Sequence, residues 1–230
     1  MTATTATDEG TLLLIDKPYK WSSFDVVKKI RYRLKIKKVG HAGTLDPLAT
    51  GLLIICTGKM TKKINEFQDM EKEYEGELVV GKTTPSYDLE TEVDREFDIT
   101  HIKESDIYSA AQGLQGQLMQ VPPVFSAVKV DGERMYKKAR RGEEVELKAK
   151  EIFVRQFEIT SINLPTISFR ISCSKGTYIR SLVRDFGEAL QAGAYMSVLR
   201  RTRIGSFDVK NALTIDEWVS KISNVSNEGI

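Results

Sequence analysis

Gly40-His41-Ala42-Gly43-Thr44-Leu45-Asp46-Pro47-Leu48-Ala49-Thr50-Gly51 is the most constrained stretch of this 230-residue chain. Pro47 fixes its own φ and disfavours the α region for Asp46, while the glycines allow tight turning or close approach to a ligand. One imidazole, His41, and one carboxylate, Asp46, sit inside this frame. On composition alone an Asp-Pro pair reads as a helix N-cap and first helical residue. The competing reading is an aspartate presented by a stiff loop.

Upstream, Thr11 to Ile15 reads as a strand ending at Asp16-Lys17-Pro18. Ser22 or Ser23 then caps a helix with Phe24, Val27, Ile30, Tyr32 and Leu34 as its apolar face and Lys28, Lys29, Arg31 and Arg33 solvated. Downstream, Leu52 to Cys56 reads as a buried strand, Thr61 to Phe67 as a short helix, and Lys72 to Val80 as a strand carrying Tyr74. Residues 81 to 100 are acidic and irregular, and include Asp88. The spacing predicts a helix from Thr100 or Ser105 through Leu114 and a strand from Gly116 to Val121. It predicts a further strand over Phe125 to Val130, turning at Asp131-Gly132. Two long β-rich runs around Asn163-Leu164-Pro165 form a hairpin. A helix from Tyr178 to Leu190, a strand from Ser197 to Ile204 and a helix from Ile215 to Ile222 complete the chain. Strands adjacent in sequence, with helices interspersed irregularly, predict an α+β fold with a mixed, mostly antiparallel sheet. Residues 1–10 read as a disordered tail, and 11–230 as a single domain.

Apolar content of 41% and charged content of 29% are ordinary for a soluble protein. Cys56 and Cys173 are too few for a disulfide framework or a zinc site, which points to a reducing compartment. No signal peptide and no membrane-length apolar run is present, so the expected location is the cytoplasm. Charge is unevenly distributed. Residues 17–38 hold nine bases against one acid, residues 66–106 fourteen acids against four bases, and residues 170–210 eight bases against three acids. A polyanion would be drawn to the first and third segments and repelled by the second, unless these runs are only solvated faces.

Gly76-Glu77-Leu78-Val79-Val80-Gly81-Lys82-Thr83 satisfies the Walker A pattern. A phosphate cradle needs a flexible loop, whereas Glu77 to Val80 are strand formers and Pro85 obstructs a following helix. Nucleotide binding is therefore rejected.

The Gly40–Gly51 stretch resembles the catalytic motif of the TruB family of tRNA pseudouridine synthases. Further similar segments follow in that family's order: Asp16-Lys17-Pro18 with Ser22-Ser23, Lys72-x-Tyr74, Gln120-x-Pro122-Pro123-x-x-Ser126-Ala127-x-Lys129, Gly176-Thr177-Tyr178-Ile179-Arg180 and Leu199-Arg200-Arg201. The resemblance implies the pseudouridine synthase fold, a long mixed sheet with flanking helices, and an RNA-gripping insertion at about 122–150. It also implies a short form without a C-terminal PUA domain.

It further implies isomerisation of the TΨC-loop uridine of tRNA. The glycosidic bond breaks, the uracil rotates, and C5 is reattached, with no cofactor and no metal required. Asp46 would be the catalytic nucleophile or base, held ionised by Arg180. Tyr74 would stack on the uracil, and its hydroxyl would take the C5 proton. Tyr178, Ile179 and Leu199 would wall the pocket, His41 would touch the RNA during flipping, and Asp88 would lie beside the site. Lys17 and Lys129 would bind substrate or serve structure. Lys20, Lys28, Lys29, Arg134, Arg140, Arg141, Arg200, Arg201 and Arg203 would supply phosphate contacts. The expected partner is the tRNA T-arm, bound by a monomer that needs no protein partner and no membrane. A non-catalytic RNA chaperone and a subunit of a guide-RNA complex are the alternatives.

Overall fold

The structure is a computed structural model, and it describes residues 10–125, 129–130, 133–135, 141 and 147–227. The first elements are β1 (Leu12–Lys17), α1 (Ser23–Leu34), β2 (Val39–His41), β3 (Thr50–Thr57), a 3-10 segment (Gly58–Lys63) and α2 (Ile64–Asp69). Next come β4 (Lys72–Val80), β5 (Lys82–Thr83), β6 (Arg95–Glu96), α3 (Glu104–Gly113), β7 (Gly116–Gln120), β8 (Lys129–Val130) and β9 (Glu133–Arg134). The chain ends with β10 (Lys150–Asn163), β11 (Thr166–Cys173), α4 (Ile179–Ala189), β12 (Ala194–Ile204), β13 (Phe207–Asp208), β14 (Leu213–Thr214) and α5 (Ile215–Asn227). Two compact units result: Met1–Tyr74 with Leu199–Ile230, and Glu75–Val198.

In the first unit β3 is central. Along one edge it pairs antiparallel with β1, from Leu12↔Cys56 to Lys17↔Gly51. Its other edge is shared: β12 pairs parallel with its first residues, Thr50 and Gly51, and β2 antiparallel with its last, Ile55 to Thr57. Successive β3 side chains point to opposite faces. Leu53 and Ile55 join Ile15, Val26, Val27, Ile30 and Trp218 on one side. Leu52, Ile54 and Cys56 join Ala42, Phe67 and Ile204 on the other. Helices cover both faces, which is why the run from Leu52 to Cys56 is apolar throughout.

Ser22 caps α1 in a capping box: its hydroxyl accepts from Asp25 N (3.1 Å), and the Asp25 carboxylate accepts from Ser22 N (3.0 Å). The buried face is Ser23, Val26, Val27 and Ile30, spaced i, i+3, i+4, i+7. Phe24 and Tyr32, expected on that face, are 55% and 81% exposed. They fall off the stripe that the 3.6-residue period allows.

In the second unit β10 pairs antiparallel with β11 and with β7. The β10–β11 hairpin closes at Asn163↔Thr166, as the sequence predicts. Phe157 lies 5.8 Å from Phe169 and 5.6 Å from Phe186 between ring centroids, which packs α4 onto these strands. Of the expected strand over Phe125 to Val130, the described residues are a bend at Phe125 and the strand β8 at Lys129–Val130. Ser126 to Val128 and the turn residues Asp131 and Gly132 lie outside the described residues. The Walker-like stretch is β4 up to Val80, a turn at Gly81 with φ +88°, and then β5. A phosphate-binding loop and helix are absent there, in keeping with the rejection of nucleotide binding. No described helix is long and apolar enough to cross a membrane.

Candidate active site

Residues 42–49 connect β2 to β3 and carry Asp46 in the first unit. No helix follows Asp46. Ala49 N donates to Asp46 O (3.1 Å) in a turn, and the chain enters β3 at Thr50. The helix-cap reading is thus corrected, because β3 must begin here to pair with β12.

The residues on both sides of Asp46 are fastened. Leu45 is gripped by Ser23, whose hydroxyl accepts from Leu45 N (2.8 Å) and donates to Leu45 O (3.2 Å). Pro47 O accepts from Lys20 N (2.9 Å) and from Lys17 Nζ (3.3 Å). The chain on both sides of Asp46 is therefore held against residues 17–23, while Asp46 itself remains partly exposed.

Two buried cations brace this loop. Lys17 is fully buried, and its ammonium also donates to Pro18 O (3.0 Å) and Trp21 O (2.5 Å). Burial pulls its pKa down from 10.5 to about 8, with Asp46 opposing and Arg201 reinforcing the shift. Of the two roles left open for Lys17, this placement supports the structural one, since a phosphate cannot reach it. Arg201, 1% exposed, donates from Nε to Leu52 O (2.8 Å) and from Nη2 to Gly43 O (3.2 Å). Its expected phosphate contact is corrected for the same reason. His41 is half-buried; burial chiefly, then the Arg201 charge, lowers its pKa, so the ring is neutral near pH 7. The Gly43 backbone opposes the shift, and among the described residues the buried Nδ1 makes no well-formed hydrogen bond.

Tyr74 in β4 and Leu199 in β12 belong to the same unit and are buried, at 8% and 6% exposure. Arg200 forms a two-pronged pair with Asp16 (2.6 and 3.0 Å), and Arg203 pairs with Glu73 (2.8 Å), so both guanidinium groups are committed within the protein. Lys20 and Lys28 stay exposed, and a groove of about 720 Å³ is lined by four cations, Lys20, Lys28, Lys29 and Arg31, with Trp21, Tyr32 and one acid, Asp25.

The second unit holds Arg180, Asp88, Tyr178 and Ile179. Arg180 is buried at the start of α4. Its Nη1 donates to Ser86 O (3.1 Å) and its Nη2 to Phe125 O (2.9 Å), and its Nε lies 3.6 Å from the buried Asp88 carboxylate. Asp88 is itself fixed beside β12 through a bridge to Met196. Tyr178 is the N-cap residue of α4 and lacks a side-chain cap. Instead the Gln120 amide holds its backbone, accepting from Tyr178 N (2.8 Å) and donating to Tyr178 O (3.1 Å). The Lys129, Arg134 and Arg140 side chains lie outside the described residues.

Three of these residues escaped the sequence reading. Ser23 resembled a cap, Arg201 a surface cation, and Gln120 a motif position without a role. All three lie in segments similar to the family's, and that match is the signal that could have flagged them in advance.

Comparison with known proteins bears on this arrangement. Residues 31–179 match the family model described as TruB family pseudouridylate synthase (N terminal domain). Residues 180–227 match that described as tRNA pseudouridylate synthase B C-terminal domain. The chain is 56% identical over 214 residues to a Flavobacterium johnsoniae protein named tRNA pseudouridine synthase B, covering 90% of this chain and 93% of that one. A protein of the same name from Phocaeicola vulgatus is 52% identical over 231 residues, covering 96% and 98%. Among solved structures, a Cbf5-Nop10-Gar1 complex contains a chain similar at TM-score 0.76 and 29% identity. That match covers 97% of this chain and 57% of the other.

Proposed function

The chain belongs to the TruB family of pseudouridylate synthases, and on that premise we propose that Asp46 is the nucleophile or base that acts on the target nucleoside. The activity is that of a tRNA pseudouridine synthase, an isomerase that converts uridine-55 of tRNA into pseudouridine. In that reaction the N1–C1′ bond breaks, the uracil turns in place, and C5 bonds to C1′. C5 loses a proton and N1 gains one, so atoms and electrons balance.

The observation that carries the assignment is the double anchoring of Leu45 and Pro47 on either side of Asp46. A carboxylate on a loop fixed before substrate arrives needs no reorganisation during the reaction. Tyr74 is assigned to stack on the uracil and take the C5 proton, and Arg180 to act beside Asp46 in catalysis. The rigid oxygen cage around the Arg180 guanidinium supports a fixed, permanently charged group. Tyr178, Ile179 and Leu199 are assigned to the pocket wall, His41 to the flipped RNA strand, and Asp88 to orienting Arg180. Lys129 is assigned to the RNA.

The target base must leave the T-loop stack, at a cost of roughly a few kcal/mol. Contacts between phosphates and the exposed cations of α1 offset this cost. Recognition is by T-arm shape, and the chain acts as a monomer without protein partners. Tritium release from C5-labelled tRNA tests the assignment. Wild type releases the label, and Asp46→Asn releases none while binding tRNA as tightly. Release by Asp46→Asn at the wild-type rate would remove Asp46 from the chemistry.

A further inference from the structure

We infer that Gln120 is a positioning residue for the isomerisation: its amide fixes the backbone of Tyr178 and so the first turn of α4, which presents Tyr178 and Arg180. The inference rests on the roles proposed above for those two residues. Gln120 closes β7, is 2% exposed, and bonds both backbone groups of one residue 58 positions away. Tyr178 has extended dihedrals, φ −98° and ψ 109°, but belongs to no strand. The Gln120 side chain occupies the place of a neighbouring strand's peptide group, one donor beside one acceptor.

Few side chains can do this. Among side chains that stay uncharged across the physiological pH range, glutamine and asparagine carry an amide donor and acceptor side by side on one planar group, and asparagine is a methylene shorter. An ionised glutamate only accepts. The preceding residue supplies no alternative hold among the described residues, where the buried Thr177 hydroxyl finds no hydrogen-bond partner. Two further bonds run between the same segments: Ser181 Oγ donates to Val121 O (2.9 Å) and Arg180 Nη2 to Phe125 O (2.9 Å). Residues 120–125 thus lie along the first turn of α4. Gln120 is the member that sets Tyr178 in both hydrogen-bonding directions.

Misplacing a reacting group by about 1 Å costs on the order of a hundredfold in rate. The test compares kcat and tRNA Kd for wild type, Gln120→Leu and Gln120→Glu by tritium release. Gln120→Leu should lose about tenfold to a hundredfold in kcat with Kd changed by less than about twofold.

Gln120→Glu supplies a signature that plain structural support would not move. When ionised, it sets a second oxygen against Tyr178 O. When protonated, it regains the donor, and the buried, carbonyl-facing site raises the pKa of this acid. Its kcat relative to wild type should therefore climb as pH falls from about 8 to about 5.5. A flat ratio, an unchanged kcat in Gln120→Leu, or a loss confined to Kd overturns the inference. If Gln120→Leu does not fold, the Gln120→Glu ratio decides alone. A wild type that releases no tritium sinks the family-based assignment and this inference together, whereas an active wild type with a flat ratio sinks only the role of Gln120.

Discussion

Lys17 is the residue whose placement most changes its meaning. A lysine beside a glycine-rich loop, in a strongly basic segment, reads as a phosphate contact, yet this one spends its charge on three carbonyls beneath the loop. Its pKa falls to about 8 in the fold and is 10.5 in the reference state. Below pH 8 both states carry the proton, and the cost of the buried charge is fully present. Between about 8 and 10.5 the unfolded chain binds more protons, so stability rises with pH. The stability of wild type relative to Lys17→Met should therefore increase across that window, by up to about 3 kcal/mol. Urea denaturation of the two proteins at several pH values checks this, and a difference independent of pH contradicts it. Ser23 teaches the same lesson as Lys17. Nothing local distinguishes it from Ser22, but its hydroxyl serves Leu45, 22 positions on. Such long-range pairings are invisible to spacing.

At the scale of elements, β3 was legible because burial on both faces leaves an unbroken apolar run from Leu52 to Cys56. The true start of β3 was not. Asp46-Pro47 obeys the local rule for a helix start, and the parallel pairing of β12 with Thr50 and Gly51 overrides it. That junction is tight. Gly51 has φ +101°, and a Cβ there would lie 2.3 Å from Arg201 O and 2.7 Å from Arg201 N. Backbone atoms cannot step aside, so Gly51→Ala should cost about 3 kcal/mol or more in denaturant unfolding. A loss below about 0.5 kcal/mol would show that the junction is looser than described. The buried face of α1 excludes Phe24 and Tyr32, which the sequence reading placed on it, and includes Val26, which that reading left out, because the 3.6-residue period sets the stripe. Its cationic side was read correctly for Lys28, which stays exposed. Removing Lys20 and Lys28 together should weaken tRNA binding and lower the slope of log K against log salt by about one for each phosphate no longer neutralised. An unchanged slope would place the RNA elsewhere.

For the whole molecule, the motif order along the chain carried the α+β fold and the family, and the sheet pairings agree with both. Within the described residues antiparallel pairings predominate, with β1–β14 and β3–β12 parallel. Charge segregation gives the chain two cationic stretches, residues 17–38 and 170–210, and one acidic stretch, residues 66–106, a pattern that suits binding of a polyanion away from the acidic stretch. What charge patterning could not supply, and motif order left without a role, is the support behind the proposed site residues: Ser23 and Lys17 under Asp46, and Gln120 under Tyr178. The most direct measurement is chemical mapping of pseudouridine in an unmodified tRNA transcript incubated with the purified protein alone, wild type against Asp46→Asn. The account predicts pseudouridine at uridine-55 with wild type and none with the variant. Equal modification by both proteins would contradict it.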